Sequence, residues 1–287
     1  MRWGAFALIA VLSTALTAKA APAAAPASAI LSDDMCPAAS KPLARLGYLM
    51  SRDTDQARTQ MPEMLDKAYD AELDCSKAAA TAYGASHAIE DLRGALLAKL
   101  KLAMLMSWTA ETDARSGDAE SAHELWLDAQ DLALFAYDAT TGNPELTGMR
   151  AGAATVSEAI ASDLEQFRDG NRTLTGDTAE NEVEDGARVV RTQALTTAIE
   201  TALDGWERRS RMKSFGGVDV IETVDGSTTV QVQTDGPLWN SRSMEQRRAT
   251  LKVVADAAAL AVPVGPLGYI LKLVSPDGVT LVVERVT

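Results

Sequence analysis

Residues 94–110, GALLAKLKLAMLMSWTA, decide the fold of the first part of the chain. Apolar side chains occupy nearly every face of a helix here, interrupted only by Lys99, Lys101, Ser107 and Thr109. A helix that is apolar on most faces lies at the centre of a bundle. The two lysines argue against a membrane span, because charged side chains are costly inside a bilayer. We therefore predict a central bundle helix over residues 87–115.

Boundary signals on both sides of this run are typical of further helices joined by short connections. Upstream, we expect Gly84 to stop one helix and Ser86 to cap the central one. Downstream, Gly142, Asn143 and Pro144 combine a helix stop, a cap and a first-turn proline. The predicted helices after the central one cover residues 119–140, 144–168 and 178–213. Such a series predicts an all-α bundle over residues 36–213.

The spacing of apolar residues changes from a helical to a strand period after Gly216 and Gly217. Two pairs of alternating segments flank the turn sequences at 225–226 and 276–278, which is typical of hairpins. Between the pairs, Ser243 and Gln246 can form a capping box for a helix over 243–262. Residues 214–287 therefore predict a small ββαββ domain, with one helix on one face of an antiparallel sheet. The predicted fold is mainly α with an α+β C-terminal part.

The first residues have the form of a secretory signal peptide. Arg2 precedes an apolar stretch that ends at Leu16, and Ala18 and Ala20 give a small-residue cleavage site. Residues 1–20 are therefore expected to be removed, and the proline-containing residues 21–35 to form a flexible tether. We expect an exported protein, periplasmic or secreted, without an integral membrane span after cleavage.

The charge of the chain excludes some partner classes. Lys and Arg number 27 and Asp and Glu number 40 among 287 residues, so the net charge is −13. Nucleic-acid binding needs a basic surface to meet phosphates, so we expect no nucleic-acid partner. Residues 211–287 are balanced, with 8 acidic and 8 basic residues, so the acidity belongs to the helical part.

The chain contains two cysteines, Cys36 and Cys75. An even number of cysteines in an exported chain predicts a structural disulfide, which would tie the N-terminus of the bundle to a helix. The wide spacing does not match a redox pair of the Cys-x-x-Cys type.

One polar stretch has the ligand spacing of a calcium loop. Oxygen-bearing residues fall at loop positions 1, 3, 5, 7, 9 and 12, namely Asp169, Asn171, Thr173, Thr175, Asp177 and Glu180. Leu174 stands where the sharp turn of such a loop requires glycine. The favoured interpretation is a connection between helices in which Asp177 and Glu180 form a capping box. We therefore expect no cofactor, and calcium remains the alternative that a calorimetric titration would decide.

Two further clusters are candidates for binding a protein partner. Arg208, Arg209 and Arg211 end the long helix, and Trp239 and Arg242 follow the first hairpin. Trp and Arg are common at the energetic centres of interfaces. The alternative interpretations are favourable charge at a helix C-terminus for the arginines and packing over the end of the sheet for Trp239.

No short motif identifies a reaction. His87 and His123 are the only histidines. Glu120 and His123 match one of the two Glu-x-x-His pairs that a di-iron site needs, but the second pair is absent, as is a nucleophile elbow. The leading hypothesis is therefore an exported, non-enzymatic interaction protein of the cell envelope or periplasm, with an unidentified protein partner. The alternatives are a cell-envelope hydrolase that uses an Asp/Glu pair, which needs no short motif, and a calcium-dependent interaction module.

Overall fold

The structure is a computed structural model that describes residues 36–50, 55–170, 185–210, 214–235, 239 and 241–287. The chain divides into two compact units, and the division falls between residues 178 and 179. The predicted signal peptide, the predicted tether and all of the predicted calcium loop beyond Asp169 and its neighbour Gly170 lie outside the described residues. In the described ranges, no helix combines the length and apolar character that crossing a membrane requires.

The N-terminal unit is the predicted helical bundle. Its α-helices are α1 Pro37–Met50, α2 Asp55–Ser86, α3 Ile89–Ser116, α4 Ala119–Ala139 and α5 Thr147–Gly170, with a 3-10 turn over Pro144–Leu146. Helix α3 packs against α2, α4 and α5, and most of its residues between Leu92 and Ala110 are buried. The central position predicted for residues 94–110 is confirmed.

The helix ends agree with the predicted signals except at one place. Asp118 caps α4 by accepting from the Ser121 N–H, and Asn143 caps the 3-10 turn by accepting from the Glu145 N–H. The predicted stop at Gly84 and the predicted cap at Ser86 are both wrong, because α2 continues to Ser86 and Ala88 precedes α3 without a side-chain cap. His87 makes the turn instead, with a φ of 53°, and its ring meets Tyr83 edge to face at 5.7 Å between centroids.

The C-terminal unit is the predicted ββαββ arrangement preceded by a long helix. Its elements are α6 Asp185–Ser210, β1 Phe215–Glu222, β2 Thr228–Thr234, α7 Met244–Ala261, β3 Tyr269–Val274 and β4 Thr280–Val286. The capping box of Ser243 and Gln246 is confirmed, as are both turns, where Gly226 and Gly278 have φ near 80°. The fold class, a helical bundle followed by a small ββαββ part, is therefore confirmed.

The sheet is mixed, not antiparallel as predicted. The strand order is β1-β2-β3-β4, with antiparallel outer pairs and a parallel central pair, β2 with β3. The physical reason is the connection between the central strands. Helix α7 carries the chain from the end of β2 back to its start, and such a crossover returns the next strand in the same direction.

Helix α6 belongs to the C-terminal unit, whereas the sequence analysis placed the boundary after it. Leu195, Ile199 and Leu203 of α6 are buried in the same core as α7 and the inner face of the sheet. Arg191 also donates two hydrogen bonds from α6 to the buried carboxylate of Glu222 at the end of β1. The change in the spacing of apolar residues at Gly216 marks a change of secondary structure. It does not mark the boundary of the unit, because the core includes residues on both sides of it.

The predicted disulfide between Cys36 and Cys75 is confirmed. The bond joins the residue just before α1 to the middle of α2, with 5.8 Å between the Cα atoms. That separation is typical of native disulfides. The bond closes a loop of 39 residues and holds the first helix against the second.

Replacing both cysteines by serine is expected to lower the free energy of unfolding by about 3 to 4 kcal/mol, because a long loop in the unfolded state is released. Denaturant unfolding of the double variant Cys36→Ser and Cys75→Ser, beside the untreated and the reduced parent protein, measures the loss. The reduced parent should unfold at the same denaturant concentration as the variant. Two free thiols in the unreduced parent protein would contradict the prediction.

Candidate functional site

Three aromatic rings converge where α6 leads into the sheet. The Phe215 ring lies 5.5 Å from that of Trp206 and 5.4 Å from that of Trp239, measured between centroids. The indole N–H of Trp239 donates to the carbonyl oxygen of Ser214 at 2.7 Å. Aromatic pairs at these separations and angles attract each other beyond their burial of area. We call Trp206, Phe215, Trp239 and Arg242 the aromatic–arginine cluster.

One carboxylate of α6 holds Ser214 and the first residue of β1 in place. Glu207 accepts hydrogen bonds from the main-chain N–H groups of Ser214 and Phe215, at 2.6 and 2.9 Å. A second brace comes from Arg247, which donates to the carbonyl oxygens of Trp239 and Leu281. The two residues fix both segments that supply the aromatic rings.

Arg242 completes the cluster by lying against two of the indole rings. Its guanidinium carbon is 4.4 Å from the centroid of Trp239 and 5.2 Å from that of Trp206. Both distances are within the range of cation–π attraction, which is strongest for Trp. Among the described residues, no acidic side chain forms an ion pair with Arg242, so its charge is not neutralised within that part of the chain.

The predicted partner-binding residues occupy different environments. Trp239 is only 1% exposed, so within this structure it supports Arg242 and does not itself form surface. Arg208 and Arg209 are exposed in the last turn of α6, and Arg208 Nε reaches back to the carbonyl oxygen of Asp204 at 3.3 Å. Arg211 lies outside the described residues. The structure therefore brings Trp239 and Arg242 together, and their roles in binding stay predictions.

Sequence reasoning did not select Trp206 or Phe215 for the site. Trp206 was noticeable only as a neighbour of the arginines, and no pattern singled out Phe215. The available signal was scarcity, because the chain holds 5 Trp and 4 Phe. Even so, their convergence depends on α6 packing against the sheet, which short-range patterns do not reveal.

A second cluster of ionisable groups lies in the bundle. Asp163 of α5 has its pKa raised from 3.8 to about 6, first by burial and then by the nearby carboxylate of Glu111 on α3. Glu111 is also ion-paired with Arg115, one turn further along α3. A raised carboxyl pKa beside a second carboxylate is an arrangement that acid–base enzymes use.

His123 is engaged by α5. Its Nε2 accepts from Arg168 Nε at 3.3 Å, and its ring stacks on Phe167 at 6.5 Å between centroids. Trp126 tilts against the other side of this contact, at 4.9 Å from Phe167. In this arrangement His123 packs between two helices, and no carboxylate of the described residues joins it in a metal set.

In the part of the chain that the structure describes, the side chains near enough to share a metal ion are Cys36, Glu72 and Cys75. The two sulfurs of this group already form the disulfide. Of the predicted calcium ligands, Asp169 falls in the last turn of α5 and the other five lie outside the described residues, so the calcium loop stays a prediction.

Comparisons of the chain with protein families, with curated proteins and with solved structures found no match.

Substitution of Asp163 by asparagine is expected to stabilise the bundle at pH 7 to 8. The folded protein holds the Asp163 proton up to a pKa of about 6, whereas the unfolded chain releases it near 3.8. Stability therefore falls as the pH rises from about 4 to 6, and above that range the ionised carboxylate costs free energy. Because Asp163 is partly open to solvent, screening reduces the expected gain in the variant to about 1 kcal/mol.

Urea unfolding at pH 4, 6 and 8 measures this effect. Glu165→Gln on the exposed side of the same helix is the matched control, since it also removes one negative charge. The gain at pH 8 should disappear at pH 4 and should be smaller in a Glu111→Gln background. Equal stabilisation by both variants at every pH would instead indicate a general effect of net charge.

Proposed function

We propose that this protein is an exported, non-enzymatic interaction protein whose C-terminal unit binds an anionic group on a protein partner. The observation that carries the proposal is the position of Arg242, which is stacked on two indole rings and has no acidic partner among the described residues. The N-terminal sequence and the disulfide support export to the periplasm or outside the cell, since disulfides persist in oxidising compartments.

Stacking prepares Arg242 for binding at low entropic cost. A free arginine side chain has many rotamers, and ordering it on binding costs free energy. The two indole rings restrict the guanidinium before a partner arrives, while the edge of a stacked guanidinium keeps its N–H groups available. A planar guanidinium held in this way matches a carboxylate through two parallel hydrogen bonds.

The charge of the surroundings supports an anionic ligand. Arg208 and Arg209 are exposed on the same helix that supplies Trp206, and the carboxylate of Glu207 is occupied by main-chain N–H groups. The net charge of −13 repels an anionic partner at long range, so recognition of such a partner depends on a locally basic site. An acidic side chain or a chain-terminal carboxylate on the partner fits these requirements.

Replacing Arg242 by alanine is expected to weaken partner binding by about tenfold or more, because charged anchors at interfaces are typically worth more than 1 kcal/mol. The measurement is capture of cross-linked partners from cells with the tagged mature protein. Arg248→Ala is the matched control, since Arg248 is an exposed arginine of α7 that pairs with Glu284.

Arg242→Lys sharpens the test, because it keeps the charge but loses the planar fork and most of the stacking. We expect it to bind more weakly than the parent protein and more strongly than Arg242→Ala. If Arg242→Ala captured the dominant partner as well as the parent protein does, the binding site would lie outside the aromatic–arginine cluster. The absence of any enriched partner would count against an interaction protein altogether.

The second candidate function is a cell-envelope hydrolase that uses Asp163 and Glu111. The raised pKa of Asp163 favours it, since a carboxyl group that keeps its proton near neutral pH can act as a general acid. Chromogenic glycoside and ester substrates test this function with the parent protein and with Asp163→Asn. Turnover that Asp163→Asn abolishes and Glu165→Gln retains would favour the hydrolase.

A further inference from the structure

A groove of about 650 Å³ lies beside α6 and β1. One wall is a stripe of α6 that includes Val189, Thr192 and Thr196. The opposite wall is formed by β1 itself, where Val218 and Val220 line the groove. The lining is of mixed polarity, because it also includes Gln193, Asp219, Ile221 and Gln231. None of these residues belongs to the aromatic–arginine cluster.

The main chain of β1 is open along this groove. In the strand order β1 is the first strand, and no other strand of the described residues pairs with its outer edge. At the end of the hairpin, the N–H of Thr223 donates to the carbonyl oxygen of Ser227 at 2.9 Å. Antiparallel pairs alternate between residues that face the neighbouring strand and residues that face away. Counting back from Thr223, Val220 and Val218 direct their N–H and C=O groups outward.

We propose that the outer edge of β1 binds an extended segment of another protein, which adds a strand to the sheet and carries a basic side chain opposite Asp219. Recognition of this kind obtains affinity from main-chain hydrogen bonds and specificity from the pockets for alternate side chains. The proposal concerns a different surface from Arg242 and does not depend on the proposed function.

The side chains of the groove determine which apolar residues the added strand should carry. Val218 and Val220 pair with Val232 and Val230, whose side chains are buried in the core on the helical side of the sheet. Residues of an added strand that lie opposite Val218 and Val220 would therefore point to the same side, toward Thr192 and Thr196. Side chains the size of valine suit the threonine and valine side chains on the α6 part of the lining.

Asp219 determines which charge the added strand should carry. It is exposed and points to the other face of the sheet, where it is paired across the hairpin with Gln231 and accepts a hydrogen bond from Gln233 at 3.2 Å. Opposite charges directly across a strand pair are stabilising, and like charges are destabilising. A lysine or arginine of the added strand is therefore favoured beside Asp219.

The same residue disfavours a second copy of this chain as the occupant. Antiparallel pairing of β1 with itself around Val220 or Asp219 brings two Asp219 carboxylates onto one face, opposite or diagonal to each other. The two chains would also each contribute a net charge of −13. A basic segment from a different protein is repelled neither by Asp219 nor by the net negative charge of the chain.

The test uses two synthetic peptides with blocked ends, Lys-Val-Lys-Val-Lys-Val-Lys and its counterpart with glutamate in place of lysine. Binding to the ¹⁵N-labelled full-length protein is followed by amide shifts, and affinity by fluorescence anisotropy of the labelled peptide. We expect the lysine peptide to shift the amides of Val218 and Val220, which face the groove. We expect the glutamate peptide to bind at least tenfold more weakly, because of repulsion by Asp219.

Two variants of α6 separate groove binding from general attraction to an acidic protein. Thr196→Trp fills the groove without changing the charge and should abolish the shifts. Thr201→Trp places the same ring at an exposed position of the same helix and should leave them unchanged. Asp219→Lys should weaken binding of the lysine peptide by about tenfold and strengthen binding of the glutamate peptide. Circular dichroism of each variant establishes that it is folded.

Methylation of alternate peptide nitrogens of the lysine peptide removes the main-chain donors that strand addition needs, and it should abolish binding. Equal binding of the methylated peptide, or of the lysine peptide to the Thr196→Trp variant, would overturn the proposal. Sedimentation of the parent protein as a dimer that Thr196→Trp converts to a monomer would assign the edge to a second copy and overturn it equally.

Discussion

The arrangement of the aromatic–arginine cluster depends on two charge-assisted hydrogen bonds, which the carboxylate of Glu207 accepts from main-chain N–H groups. These bonds fix Ser214 and Phe215 relative to the end of α6, because neither main-chain N–H can turn away without losing its hydrogen bond. Hydrogen bonds to a charged group are stronger than those between neutral groups. The carbonyl oxygen of Ser214 is thereby placed to accept from Trp239, and the ring of Phe215 lies between the two indoles. The position of Arg242 over the two indole rings depends in turn on these contacts.

The two units solve the problem of a core poor in aromatic residues in different ways. The bundle surrounds one apolar helix, α3, with three others, so that small side chains such as Ala95 and Ala103 are completely buried. The core of the sheet lies on its helical side, where α6 and α7 together cover the apolar residues. A ββαββ part of this size would otherwise bury too little area for stability. The addition of α6 explains why the second unit begins before the change of period.

Much of the fold could be predicted because its signals are local. The course of α3 follows from the composition of residues 94–110, and the hairpin turns follow from glycines that tolerate positive φ. The stop at Gly84 could not be predicted correctly, since a glycine inside a helix costs little when the surrounding residues remain packed. The antiparallel sheet was also predicted from local signals. That prediction was wrong, because the crossover through α7 makes β2 and β3 parallel. Of the candidate site, Arg242 and Trp239 were recognised from composition, but the stacking of one on the other was not.

The sequence by itself determined the elements: a helical bundle, two hairpins around one helix, a disulfide between Cys36 and Cys75, and an acidic chain with a balanced C-terminal part. These properties depend on residue type and on spacing of a few positions, which are readable without coordinates. Only the tertiary structure decided that α6 covers the sheet, that β2 and β3 run parallel, that Arg242 lies on two indole rings and that the edge of β1 borders a groove. Each of these depends on contacts between residues far apart in the chain, where packing of whole surfaces, and not local preference, selects the arrangement.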